Sequence, residues 1–115
     1  MTATYRFRIR FYRGDDVAIG PGKVDLLEAI SRTGSITAAG KQLGMSYRRA
    51  WVLVAEMNEM LAKPVVTSAA GGAKGGGTAL TPEGEALLKH YRKMEAAAAK
   101  AAAREIEAIG ALLRS

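Results

Sequence analysis

The sequence predicts a mainly α fold with small β: a winged helix-turn-helix with an N-terminal β-hairpin and a long C-terminal helix. Three observations predict it. Apolar residues recur at helical spacing over about 23–33, 47–61 and from 82 onward. Two glycines four residues apart, Gly40 and Gly44, sit where two of those helices must meet. A glycine-rich run then separates two short β-prone segments ahead of the last helix.

Composition bounds the answer. A chain of 115 residues is one domain's worth, and 49% apolar residues can fill a core. Aromatics at 6% are thin for a sandwich or barrel. The absence of cysteine excludes a disulfide framework, a thiolate zinc site and a cysteine nucleophile. A single histidine, His90, excludes a histidine-rich metal site, so no metal and no cofactor are expected. No apolar run reaches the roughly 18 residues that a membrane span needs. The N-terminus lacks the apolar stretch of a signal peptide, so a cytoplasmic address is expected.

Residues 4–13 (TYRFRIRFYR) read as a half-buried strand. Tyr5, Phe7, Ile9 and Phe11 point one way and Arg6, Arg8 and Arg10 the other. The arginine face is solvated by default and touches phosphate in its functional reading. Gly14-Asp15-Asp16 turns the chain, and Val17–Ile19 returns as a short partner strand. Beyond Gly20-Pro21-Gly22, Leu26, Leu27 and Ile30 share one face of a helix from about Lys23 to Thr33. Asp25 and Glu28 lie in its first turns and Gly34 is its C-cap. Ser35 caps a short helix that Gly44 breaks; Ser46 caps a longer one from about Tyr47 to Leu61, stopped by Pro64.

The close crossing of those two helices makes the motif specific. It needs a small residue where the first faces the second, which is Gly40. It also needs a residue tolerant of the left-handed conformation at the turn, which is Gly44. With Ala50, Leu53 and Met57 inward, the second helix presents Ser46, Tyr47, Arg48, Arg49 and Val52. Trp51, the only tryptophan, is expected to pack and bridge this helix to the wing or the first helix.

Charge gives the surface a partner. Lys and Arg number 17 against 11 Asp and Glu, a formal +6. No acid occurs between Glu28 and Glu56, whereas Arg32, Lys41, Arg48 and Arg49 do. A face cleared of carboxylates suits a duplex, which carries about one negative charge per 1.7 Å of axis. The second helix is therefore expected to enter the major groove of double-stranded DNA N-terminus first. Arg48 and Arg49 would grip guanine or phosphate, and Thr37 and Lys41 would contact the backbone.

Val65–Ser68 and Thr78–Thr81 read as a hairpin around the glycine-rich run 69–77. That run lacks the Gly-x-x-x-x-Gly-Lys-Ser/Thr order of a nucleotide-binding loop. As a wing tip, Gly75 and Gly76 let backbone approach a DNA strand while Lys74 reaches phosphate or the minor groove. Thr81-Pro82-Glu83 starts the last helix, running to about Leu113. Its stripe of Leu87, Tyr91, Met94, Ala98, Ala102, Ile106, Ile109 and Leu113 is expected to pair two copies of the chain, making this the dimerisation helix. His90 falls on its exposed side. The expected organisation is residues 1–81 for DNA binding and 82–115 for dimerisation. No paired carboxylates, Ser-His pair or metal cluster stands at usable spacing, so no enzyme activity is expected.

The runs TGSITAAGKQLGMSYRRAWVLVAEMNEM and AAGGAKGGGTALTPEGEALLKHY resemble the DNA-binding domain of the ModE family of molybdate-responsive regulators over about residues 5–95. The pattern is more distantly similar to LysR-type regulators. The resemblance implies a dimeric bacterial transcription factor, linked to molybdate metabolism, with Ser46, Tyr47, Arg48 and Arg49 in the groove and 71–77 as the wing. Full-length members carry C-terminal oxyanion-binding domains; no segment up to Ser115 matches one, so molybdate binding is not expected of this chain. A winged-helix module that binds protein instead of DNA is the competing expectation.

Overall fold

A computed structural model describes residues 4–68 and 77–114. The element order is β1 (Phe11–Arg13), β2 (Asp16–Ile19), α1 (Pro21–Thr33), α2 (Ile36–Gln42), α3 (Tyr47–Met60), β3 (Val66–Ser68), β4 (Thr78–Leu80), α4 (Pro82–Ala101) and α5 (Ala103–Ala111). This is a mainly helical fold with two small antiparallel hairpins, β1–β2 and β3–β4.

The core is apolar and centred on α1. Val24, Leu26, Leu27, Ala29 and Ile30 are fully buried there, joined by Ile36 and Ala39 from α2 and by Ala50, Leu53, Val54 and Met57 from α3. Val65 and Val66 close it beneath the second hairpin. Burying a Leu or Ile side chain contributes about 1.5–3 kcal/mol, so this cluster holds the three helices in a fixed arrangement.

Helix boundaries follow local chemistry. Pro21 stands at the start of α1, where its missing N–H costs nothing. Gly34 ends the helix at φ 68°, a left-handed conformation that glycine adopts without strain. α1 begins two residues earlier than its apolar spacing implies, so Asp25 and Glu28 fall beyond its first turn. There they meet Arg92 of α4, whose Nη2 lies 3.0 Å from Asp25 and 3.1 Å from Glu28. Arg92 Nη1 pairs with Glu95 at 2.8 Å. Bonds to three carboxylates hold Arg92 protonated well above the ordinary arginine range, outweighing the opposing effect of its burial.

Two expectations about the N-terminal segment are corrected. The N-terminal strand covers Phe11–Arg13 and not 4–13. β2 offers only four residues before Gly20-Pro21 opens α1, so residues 4–10 have no strand to pair with. Tyr5 and Phe11, expected to face inward, are about half exposed.

The last helix is interrupted at Ala102 (φ −98°, ψ 11°) and divides into α4 and α5. Backbone hydrogen bonds from Ala102 N–H to the Ala98 carbonyl and from Ile106 N–H to the Ala102 carbonyl carry the chain across. Nothing in the alanine-rich sequence explains the break.

Finally, part of the stripe assigned to dimerisation serves this chain's own core. Tyr91 is buried, and its hydroxyl donates to the Ile9 carbonyl. Leu87 and Met94 pack partly buried against the same cluster. α4 lies along α1, so its first half has apolar surface to cover at home. The second half does not: Ile109, Leu112 and Leu113 are 61%, 83% and 60% exposed. The radius of gyration, 16.8 Å, exceeds the about 13 Å of a compact chain of this size, as a projecting helix requires.

Candidate nucleic-acid interface

α2 and α3 cross where the glycines allow it. A Cβ on Gly40 would lie 3.1 Å from the Ala50 Cβ, tighter than nearly all real contacts. Gly44 takes φ 70°, and the Met45 N–H donates to the Gly40 carbonyl at 2.8 Å, closing the turn. Each helix starts on a serine cap: Ser35 Oγ accepts from Ala38 N–H at 3.1 Å, and Ser46 Oγ from Arg49 N–H at 3.0 Å.

That crossing sets the face of α3. Ala50, Leu53, Val54 and Met57 are buried, so the helix turns Ser46, Tyr47, Arg48, Arg49 and Val52 to solvent. Tyr47 is 59% exposed and Val52 39%. No acid stands in the first turn of α3, where the helix dipole adds partial positive charge. Thr37 and Lys41 are exposed on α2. Lys74, Gly75 and Gly76, expected at the wing tip, lie outside the described residues.

The base of the wing is fixed beside this face. The Thr78 N–H donates to the Gly34 carbonyl at 3.0 Å, tying β4 to the turn between α1 and α2. A groove of about 350 Å³ runs there, with Thr37 of α2, Trp51 of α3 and Ser68 and Thr78 of the hairpin along its walls. The groove brings Thr37 together with the wing base; Arg49 lies on the other flank of α3, beside Leu53 and Glu56.

One residue behaves otherwise than the sequence reading implies, and a second was missed by it. Trp51, expected to pack, is 41% exposed and meets Tyr47 edge-on at a ring-centroid distance of 6.0 Å. It does reach the wing side, but as a wall of the open groove. Its i+4 spacing from the outward Tyr47 was the available signal. Asn58 sits one residue past Met57. Its Oδ1 accepts from Val65 N–H at 2.8 Å and Val66 N–H at 3.2 Å, and its Nδ2 donates to the Val66 carbonyl at 3.0 Å. A polar residue that close to a buried stripe, just ahead of a turn, marks such a role only in hindsight.

Among the described residues no helix is long and apolar enough to cross a membrane, and no cluster of three His, Asp or Glu could hold a metal ion. The arrangement offers polar, aromatic and cationic side chains on a helix end, framed by a hairpin.

Comparison with known proteins agrees with the geometry. The model of the bacterial regulatory helix-turn-helix proteins of the lysR family matches residues 22–85, more than half of the chain. The molybdenum-pterin-binding protein MopB of Rhodobacter capsulatus is 54% identical over 82 residues, covering 71% of this chain and 30% of MopB. The molybdenum transport protein ModE of Azotobacter vinelandii is 43% identical over 97 residues, covering 83% of this chain and 36% of its own. The DNA-binding transcriptional dual regulator ModE of Escherichia coli K12 is 39% identical over 71 residues, 62% and 27% of the two chains. The chain thus spans about a third of the length of the curated relatives it matches. It belongs to the lysR family of bacterial regulatory helix-turn-helix proteins, as a helix-turn-helix domain similar to the N-terminal part of ModE and of the Mop proteins.

Proposed function

We propose that the chain is a sequence-specific, double-stranded-DNA-binding transcriptional regulator that works as a homodimer. The observation that carries this reading is the exposed, acid-free start of α3, with Ser46, Tyr47, Arg48, Arg49 and Val52 outward on a helix whose opposite side is core. Arg48 and Arg49 read guanine edges or grip phosphates, Val52 and Tyr47 meet thymine methyls or sugars, and Thr37 and Lys41 hold the backbone. Lys74, Gly75 and Gly76 add a contact from the wing. The C-terminal part of the stripe, with Ala98, Ala102 and Ile106 half-buried and Ile109 and Leu113 exposed, pairs two copies and sets the half-site spacing. The chain acts by binding, without catalysis. The names of relatives such as the molybdenum transport protein ModE support a link between the regulated genes and molybdenum metabolism.

Selection of bound duplexes from a random pool tests the reading. The expected product is an inverted repeat whose half-sites lie about one helical turn, ~34–36 Å, apart. Recovery of duplexes with no shared sequence would leave only non-specific binding. Failure to retain any duplex would favour the protein-interaction module.

A further inference from the structure

Arg8 and Arg10 belong to the N-terminal segment, outside the helix-turn-helix, yet they line the same cleft as Arg49. The cleft has a volume of about 500 Å³ and opens between that segment, the start of α1 and one flank of α3. It carries four cations, Arg8, Arg10, Lys23 and Arg49, against two carboxylates, Asp16 and Glu56. Lys23 is buried on its floor, where its Nζ donates to the Val17 carbonyl at 2.6 Å and lies 3.5 Å from Glu56. That contact occupies Glu56. The three arginines are exposed, and among the described residues none of them makes an ion pair.

The segment is held in place, although no strand pairs with it. Ile9, between the two arginines, packs against the core and its carbonyl accepts the Tyr91 hydroxyl. The Arg10 stem lies across Gly20, where an added Cβ would meet Arg10 Cγ at 3.3 Å. The backbone that carries two of the guanidinium groups is thus anchored beside a third on α3, so that only the exposed side chains remain to be ordered on binding. Planar guanidinium forks match phosphate oxygens in bidentate fashion. The volume is many times the roughly 30 Å³ of one water, which suits a run of backbone better than a lone ion.

We propose that Arg8 and Arg10 act with Arg49 as a clamp on the phosphodiester backbone of the bound duplex, extending the interface from α3 onto the N-terminal segment. This rests on the DNA-binding reading above. Such contacts fix register and strength without reading sequence.

The test uses the full chain and its Arg8→Gln/Arg10→Gln double variant, titrated with the selected duplex and a random one at salt between 50 and 200 mM. Losing two phosphate contacts should flatten the slope of log affinity against log salt by about 1.8, at roughly 0.9 per contact. Affinity should fall by the same factor on both duplexes, and thermal unfolding should not move. An unchanged slope and affinity, with the wild type binding tightly and Arg48→Ala weakened, overturns the clamp alone. A wild type that binds neither duplex overturns the DNA reading and the clamp with it. Calorimetric titration with inorganic phosphate forms a separate arm. Saturable binding lost in the variant, with an unaltered duplex slope, would reassign the cleft to a free oxyanion and overturn the proposal.

Discussion

Asn58 Oδ1 accepts the Val65 backbone N–H at 2.8 Å, joining α3 to the residue that leads into β3. The same side chain also serves both polar groups of Val66. Val65 and Val66 are buried, so Asn58→Ala leaves their amides without this partner. The expected cost is about 1–3 kcal/mol, read as a lower urea midpoint. Asn58→Asp keeps the acceptor and loses the donor to Val66, so it should fall between the two. An alanine variant as stable as the wild type would show that the wing is held by packing alone.

Gly84 in the first turn of α4 is a second point of close approach. An added Cβ would overlap the Val65 carbonyl and stand 3.2 Å from the Leu80 Cβ. Overpacking of this kind costs about 1–3 kcal/mol, and here the neighbour is backbone. Gly84→Ala should therefore destabilise by at least that range. Gly22 is the control: it is helical, and a Cβ there meets nothing within 4 Å. Gly22→Ala should stabilise by about 0.4–1 kcal/mol. Thermal unfolding of the two variants should move in opposite directions.

Arg48→Ala and Arg49→Ala should each weaken binding to the selected duplex while leaving unfolding unchanged, since both side chains are exposed. A base-reading arginine should lose about 1–3 kcal/mol and relax specificity at one position, whereas a phosphate anchor should weaken all sequences alike. Trp51 provides the signal. It is the only tryptophan, stands 41% exposed and is one helical turn from Tyr47, so duplex binding should alter its emission. Emission indifferent to saturating duplex would place the interface away from this face.

Ile109→Asp tests pairing through the projecting helix. Ile109 is 61% exposed on α5 and lacks cover from its own chain. A carboxylate buried in an apolar dimer seam is costly, so sedimentation should shift toward monomer and operator affinity should fall with it. Tyr91→Ala would be a poor choice, because that side chain belongs to the chain's own core.

The helix-turn-helix was legible because its requirements are local. Serine caps, a glycine at positive φ and apolar spacing are written at fixed offsets, and Ser35, Gly34, Gly44 and Ser46 stand where those offsets imply. Contacts set by tertiary packing were not legible. Whether Tyr91 faces a partner or its own core depends on α4 lying along α1, which no spacing in α4 records. The N-terminal alternation of 4–13 was real as a pattern, with Phe7 and Ile9 half-buried and the arginines exposed. Strand formation needed a partner of equal length, and the four residues of β2 do not supply it. Asn58 was similarly hidden, since its partners lie across a turn whose path the sequence does not specify.

Tyr91 also gives the fold a pH signature. Burial, reinforced by the Glu95 charge, raises the pKa of its phenol above the ordinary value of 10.0, against the pull of Arg92 and Arg10. The native state therefore keeps this proton after the unfolded chain has released it. At neutral pH the hydroxyl donates to the Ile9 carbonyl, and Tyr91→Phe should cost about 1 kcal/mol. As pH rises past about 10, ionisation favours the unfolded wild type, whereas phenylalanine cannot ionise. The wild-type advantage should shrink there and level off once the raised native pKa is crossed. Urea titrations of both proteins from pH 7 to 11 measure this, and a constant stability difference across that range would show that the Tyr91 proton is not linked to folding.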